Sequence, residues 1–215
     1  DVKLMMNGLC GERALDILKM VYLLWSFRMS TQIISQASEK AAKVISSLKI
    51  YLYPTKSESP EVIDLTVTID AIIDLYYYKL RNGVKVERRY NQVPSVECYP
   101  DKLGQVWTNL INNAIYAMSN SGILEIEVSK DDTNVLVSFT DSGCGIPDNI
   151  RGLIFNPLFT TKKQGEGTGL GLDIVRRIVE FHRGRIECDS RPGRTTFTVY
   201  IPFTRNNRND SFPED

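Results

Sequence analysis

The stretch QGEGTGLGLDIV, residues 164–175, decides the fold, because glycines at every second position run straight into an amphipathic helix pattern. Backbone N–H groups at a helix start lack intrahelical partners and bind phosphate directly. Gly165, Gly167, Gly169 and Gly171 let the loop before that helix fold around an anion. No GKS or GKT follows, which excludes a Walker loop. The glycines do not open the first strand–helix unit either, which excludes a dinucleotide fingerprint. The spacing predicts a helix from about Thr168 to Phe181.

Three further stretches add chemistry to the loop. DSGCGIP, Asp141 to Pro147, follows a strand whose Val135, Val137 and Phe139 share one face. A sheltered carboxylate at Asp141 can accept a hydrogen bond from an exocyclic amine such as that of adenine. Gly143 and Gly145 let backbone approach a ring closely, and Ile146 supplies an apolar wall. Read alone, the same residues are a β-turn with Asp at its first position. Phe155, Pro157 and Phe159 precede Thr160, Thr161, Lys162 and Lys163. That order suits either a hinged lid over phosphates or a surface loop pinned by its phenylalanines.

Pro100 and Asp101 open a helix predicted to run to about Ser119, with Leu103, Val106, Leu110, Ala114 and Ala117 as its apolar stripe. Asn109, Asn113 and Tyr116 fall at i, i+4 and i+7 on another face. Asparagine is unfavourable inside a helix unless its amide has a partner. Stacked amides can orient phosphates, and an amide oxygen can join the shell of Mg²⁺, which takes few protein ligands. The alternative is a solvated polar face.

The remainder bounds the class. Apolar residues make up 42% of the 215 and charged residues 24%, a soluble globular composition. Lysine plus arginine equals aspartate plus glutamate at 26 each, so no global field draws the chain to nucleic acid or acidic membrane. No apolar run is long enough to span a bilayer. Cys10, Cys98, Cys144 and Cys188 are scattered, and His182 is the only histidine, so a zinc site is not expected and reduced thiols are. The chain begins at Asp1 without a methionine and reads as a piece of a longer protein.

From Glu12 to Tyr53 there is no glycine or proline, and apolar residues from Leu15 to Tyr51 recur at gaps of three and four. That is a long helix packing on another helix, or a hairpin turning near Met29–Thr31, with the missing turn residues favouring the long helix. PTKSESP, Pro54 to Pro60, reads as a linker. Beyond it come a strand at Glu61–Thr66, a helix at Val67–Leu80 and a strand at Val84–Tyr90. Strands at Gly122–Ser129, Val135–Asp141, Gly184–Asp189 and Thr195–Ile201 complete the pattern. Strands and helices segregate, which predicts an α+β fold: an α/β sandwich with a mixed sheet.

NLINNAIYAM, DSGCGIP, FNPLFTTK and GEGTGLGL, in this order, resemble the N, G1, F and G2 boxes of sensor histidine kinases. The ATP-binding fold of those kinases is shared with gyrase, mismatch-repair and heat-shock-chaperone ATPases. The resemblance runs from about Glu61 to Phe203 and implies a Bergerat-type sandwich that binds Mg·ATP. It implies that Asn113 ligates Mg²⁺ and that Asn109 contacts the phosphates. Asp141, with Gly143, Gly145 and Ile146, holds adenine, and Lys162 reaches phosphate. Gly167, Thr168, Gly169, Leu170 and Gly171 line the phosphate tail. Asn109 and Lys162 are the candidate catalytic residues. RPGRTTFTVYIP resembles the closing strand and puts Thr195 near Asp141, although it is one residue shorter than the family pattern. The position of Asn109 carries a general-base glutamate in the hydrolysing relatives, and an amide cannot take that proton. Tyr116 stands where many histidine kinases place a basic residue.

The same resemblance divides the chain into a helical dimerisation region (1–58), an ATP-binding catalytic domain (59–205) and a disordered tail (206–215). AAKVISSLKIYL resembles the second helix of a phosphoacceptor hairpin, but no histidine followed by an acidic residue precedes it. His182 reads as structural. The implied function is transfer of the ATP γ-phosphoryl group to a histidine outside this segment. The alternative is a degenerate ATP-binding signalling and dimerisation module without histidine autophosphorylation. Implied partners are a second copy, through the N-terminal helix, and a response-regulator receiver domain. Neither nucleic acid nor membrane contacts are implied for this segment, which is expected in the cytoplasm even where its parent is membrane-anchored.

Overall fold

Proline at the first turn and an apolar stripe over five turns make Pro100–Ala117 the longest helix of residues 59–203. The structure, a computed structural model, describes residues 15–35, 37–38, 59–163 and 167–203. The chain divides into two units, Asp1–Pro54 and Thr55–Asp215. In the first, helix α1 (15–35) passes unbroken through residues 29–31, so the hairpin turn does not fall there. The Thr31 hydroxyl donates to the Phe27 carbonyl at 3.1 Å within the helix. Heptad positions from Ala41 to Tyr51 and most of the linker lie outside the described residues.

The second unit runs β1 (Glu61–Ile63), α2 (Leu65–Leu75), α3 (Tyr77–Leu80), β2 (Val84–Tyr90), β3 (Val96–Cys98) and α4 (Pro100–Ala117). It continues through β4 (Gly122–Lys130), β5 (Asn134–Asp141), α5 (Asp148–Arg151), α6 (Gly171–Phe181), β6 (Arg185–Arg191) and β7 (Arg194–Pro202). Five strands form one sheet in the order β2-β4-β5-β7-β6, while β1 and β3 pair separately. Only β2 and β4 are parallel; the other pairs are antiparallel. This is the mixed sheet expected. α4 packs against α2, α6 and β5, so the core lies between one helical layer and one face of the sheet. That face carries Leu124, Ile126, Val128, Val135, Val137, Phe139, Val199 and Ile201, all buried. The other face is polar, with Ser138–Thr198 and Thr140–Thr196 hydroxyl pairs at 3.0 and 2.9 Å bridging β5 and β7.

Several boundaries differ from the sequence reading for local reasons. The first strand stops at Ile63 because the Asp64 carboxylate accepts the Thr66 N–H at 2.9 Å and caps α2. A break at Tyr76 separates α2 from α3. α6 starts at Gly171 rather than Thr168, since Gly169 has φ +68° and ends any helical path through it. β3 and α5 were not anticipated.

Trp107 is fully buried and ties three elements together. Its ring stacks on Phe139 at 5.6 Å, and its Nε1–H donates to Thr68 Oγ1 at 3.0 Å. Trp107→Ala should destabilise this unit by about 3–5 kcal/mol, read as a lowered urea midpoint. A change under about 1 kcal/mol would contradict this account of the core.

Candidate functional site

Asp141 is the last residue of β5, and the β5–β7 register sets it opposite Thr195. Both are buried, at 4% and 2% exposure. Asp141 Oδ1 accepts the Gly143 N–H at 2.9 Å, while Oδ2 has no hydrogen-bond partner among the described residues. Burial pushes this carboxyl above its ordinary value, and the Gly143 N–H pulls the other way. The turn that follows is pinned on two sides. The Cys144 N–H donates to the Ala117 carbonyl at 3.1 Å, at the end of α4. The Ile146 N–H donates to Ser190 Oγ at 2.8 Å, and Ser190 Oγ pairs with Thr195 Oγ1 at 2.8 Å.

The glycines of this turn serve the chain's own packing. A Cβ on Gly143 would lie 2.7 Å from the Ala117 carbonyl oxygen and from Asp141 Oδ1. One on Gly145, at φ +82°, would lie 2.5 Å from the Arg191 carbonyl oxygen. β6 and β7 are joined at Pro192-Gly193, where Gly193 has φ +83° and Arg191 pairs with Arg194. The register of this hairpin sets Thr195 opposite Asp141.

A second cluster lies on the same helix α4. Lys162 Nζ donates to Asn113 Oδ1 at 3.0 Å and stands 4.5 Å from the centroid of the Tyr116 ring. Asn109 Nδ2 donates to the Gln105 carbonyl at 2.9 Å, and its Oδ1 would lie 3.2 Å from a Cβ on Gly171, the first residue of α6. The glycine loop rests on residues 158–162. A Cβ on Gly169 would fall 2.4 Å from the Leu158 carbonyl oxygen, and one on Gly167 would fall 2.5 Å from Thr160 Oγ1. The Leu170 N–H donates to Thr168 Oγ1 at 3.4 Å. The structure thus gathers Asn109, Asn113, Lys162 and Gly167–Gly171 along α4, with Asp141, Gly143, Gly145, Ile146 and Thr195 at its C-terminal end. Residues 164–166 lie outside the described residues.

Some supporting residues escaped the sequence reading. Asp173, fully buried in the first turn of α6, pairs with Arg176 and Arg177, each at 2.9 Å. Its i, i+3 and i+4 spacing in DIVRR was the available signal. Asn112 Nδ2 donates to the Tyr76 hydroxyl at 2.6 Å, tying α4 to the α2–α3 break. Nothing local in the sequence marks that pair. Burial pushes the Cys98 and Cys188 thiols up to about 11, and Cys98, Cys144 and Cys188 are all free.

His182 caps α6 with both ring nitrogens engaged. Nε2 accepts the Tyr99 N–H at 3.0 Å, and Nδ1–H donates to the Ile178 carbonyl at 2.7 Å. These bonds require the neutral ring, and burial lowers its pKa, opposed by the Ile178 bond and aided by Lys102. The folded value lies below the unfolded one near 6.5, so this stability is present above that pH and lost as pH falls through the folded value. The urea midpoint should fall between pH 7.5 and pH 5, and His182→Gln should flatten that dependence. Equal slopes for parent and variant would contradict it.

Residues 98–205 match the family described as histidine kinase-, DNA gyrase B-, and HSP90-like ATPase. Sensor histidine kinase ZraS of Escherichia coli (strain K12) is 35% identical over 175 residues, covering 80% of this chain and 37% of ZraS. Sporulation kinase A of Bacillus subtilis (strain 168) is 32% identical over 163 residues, covering 74% of this chain and 26% of that kinase. The chain thus spans well under half the length of these two relatives. Among solved structures, the nucleotide-free catalytic domain of histidine kinase ThkA aligns with a TM-score of 0.63 at 32% identity. That alignment covers 68% of this chain and 99% of the ThkA domain. A five-stranded mixed sheet under helices, the four boxes around α4 and these likenesses lead to one conclusion: this chain belongs to the histidine kinase-, gyrase- and HSP90-like ATPase family and carries its ATP-binding catalytic domain.

Proposed function

We propose that this chain is the catalytic portion of a two-component sensor histidine kinase, moving the γ-phosphoryl group of ATP to a histidine outside the segment. The observation that carries the reading is the buried Asp141 carboxylate with one oxygen unused, opposite Thr195. An exocyclic amine can donate to that oxygen, which belongs to a carboxylate that is largely out of solvent, and Ile146 offers the ring an apolar edge. Asn109 and Ala117 are eight residues apart on α4, about 12 Å of helix, which suits adenine at one end and phosphates at the other. Asn109, the backbone of Gly167–Gly171 with Thr168 and Leu170, and the Lys162 ammonium face the phosphate end.

Asn113 Oδ1 already accepts a cation, the Lys162 ammonium, and its neutral oxygen is of the type Mg²⁺ takes. When bound there, Mg²⁺ neutralises charge on the phosphates during transfer. Asn109 positions phosphate rather than abstracting a proton, so rapid hydrolysis is not the chain's output. Transfer then rests on in-line positioning and charge. His182 is not the acceptor, since both of its nitrogens are committed to backbone groups.

We assign residues 1–58 to a dimerising helical region and 59–205 to the ATP-binding domain. Exposed Leu18, Tyr22, Trp25, Phe27 and Ile33 on α1 support a homodimer. ThkA has been solved in complex with response regulator protein TrrA and aligns with this chain at a TM-score of 0.64 and 29% identity. A response-regulator receiver domain is the partner we assign here. No helix among the described residues is long and apolar enough to cross a membrane, and a cytoplasmic site agrees with the free thiols of Cys98, Cys144 and Cys188. The absence of a second histidine supports one other reading, an ATP-dependent signalling module without autophosphorylation.

Full-length protein incubated with γ-labelled ATP and Mg²⁺ should gain acid-labile phosphate. ATP binding without label supports the signalling module, and rapid release of inorganic phosphate without label contradicts the kinase reading. Asp141→Asn should weaken ATP binding about 10- to 100-fold, the worth of a charge-assisted hydrogen bond. Its melting temperature should be unchanged or higher, because a buried charge is removed. Unchanged affinity by calorimetry would refute the adenine assignment.

A further inference from the structure

Tyr116 occupies a place on α4 from which a cation would reach the phosphate end of the site, yet it carries no charge. It is 43% exposed, so its ring is not committed to the core. Its face instead meets Lys162 Nζ at 4.5 Å from the centroid, well inside the range over which a ring attracts a cation. The same ammonium donates to Asn113 Oδ1 at 3.0 Å, one turn back on the same helix face. The stem of Lys162 is also held: a Cβ on Gly167 would lie 3.0 Å from Lys162 Cβ and 3.2 Å from its Cδ. A long, flexible side chain is therefore held at its tip by α4 and approached along its stem by the backbone of the glycine loop.

We propose that Tyr116 is a positioning residue: in the nucleotide-free protein its ring face and the Asn113 carboxamide seat the Lys162 ammonium at the phosphate end. When Asn113 Oδ1 passes to Mg²⁺, the Tyr116 face keeps the ammonium there. The positive charge there is delivered by residues 155–163 instead of by α4. A lysine or arginine at position 116 would repel Lys162 from this seat. The phenol hydroxyl has no part in this, so phenylalanine should serve as well. Holding the ammonium in advance spares the rotamer entropy that ordering a free lysine costs on binding. The proposal rests on the ATP-site reading above.

The test is calorimetry of ATP in the presence of Mg²⁺ on the whole chain, with Tyr116→Phe, Tyr116→Leu, Lys162→Met and the Leu/Met double variant. Tyr116→Phe should stay within about twofold of the parent, and Tyr116→Leu should bind about two- to fivefold more weakly. In the Lys162→Met background, Tyr116→Leu should cost nothing further. Amide exchange at residues 158–163 in nucleotide-free protein should quicken in Tyr116→Leu and not in Tyr116→Phe. Additive losses, or a Tyr116→Phe as weak as Tyr116→Leu, overturn the proposal alone. A parent chain that binds no ATP overturns the functional reading and this proposal together.

Discussion

Keeping a carboxylate buried at the end of β5 is the constraint around which the ATP-site unit is arranged. Asp141 sits at 4% exposure with a single backbone N–H on one oxygen, an arrangement that raises its proton affinity and lowers the stability of the empty fold. It persists because its surroundings over-determine it. β7 holds Thr195 across the ladder, Ser190 links Thr195 to the Ile146 N–H, and the Ala117 carbonyl holds Cys144. Each of these bonds also fixes the loop that would frame a purine. Cost in the empty state and readiness for a ligand come from the same atoms.

α4 is the common wall that makes this local desolvation cost useful. Its buried stripe docks on β5 and on α2 and α6, and its polar face carries Asn109, Asn113 and Tyr116 in register with the glycine loop and Lys162. The glycine loop cannot be understood apart from residues 158–162, since side chains on Gly167 or Gly169 would collide with Thr160 or with the Leu158 backbone. Tight backbone packing, rather than looseness, is what these glycines provide.

Much of this was legible in the residues. α4 announced itself through Pro100 and its apolar stripe, and the strands through their alternation and turn residues. The ordered boxes around Asn113, Asp141, Lys162 and Gly169 named residues that the structure gathers around α4. What escaped had physical reasons. β3 is three residues between two prolines, too short to show a period. The reach of Lys162 to Tyr116 spans 46 residues and exists only once the sheet has formed. The resemblance put Thr195 near Asp141, but its direct pairing with Asp141 depends on the register of the hairpin that turns at Gly193, which no local pattern fixes. His182 was read correctly as structural, but the geometry adds why: its ring joins α6 to the backbone ahead of α4.

The central claim is that the free oxygen of Asp141 reads the exocyclic amine of adenine. Calorimetric comparison of ATP with inosine triphosphate, which carries a carbonyl oxygen where adenine carries the amine, tests it most directly. ATP should bind at least about tenfold more tightly, since the carbonyl brings a second acceptor to a buried carboxylate. Equal affinities for the two nucleotides would contradict the account.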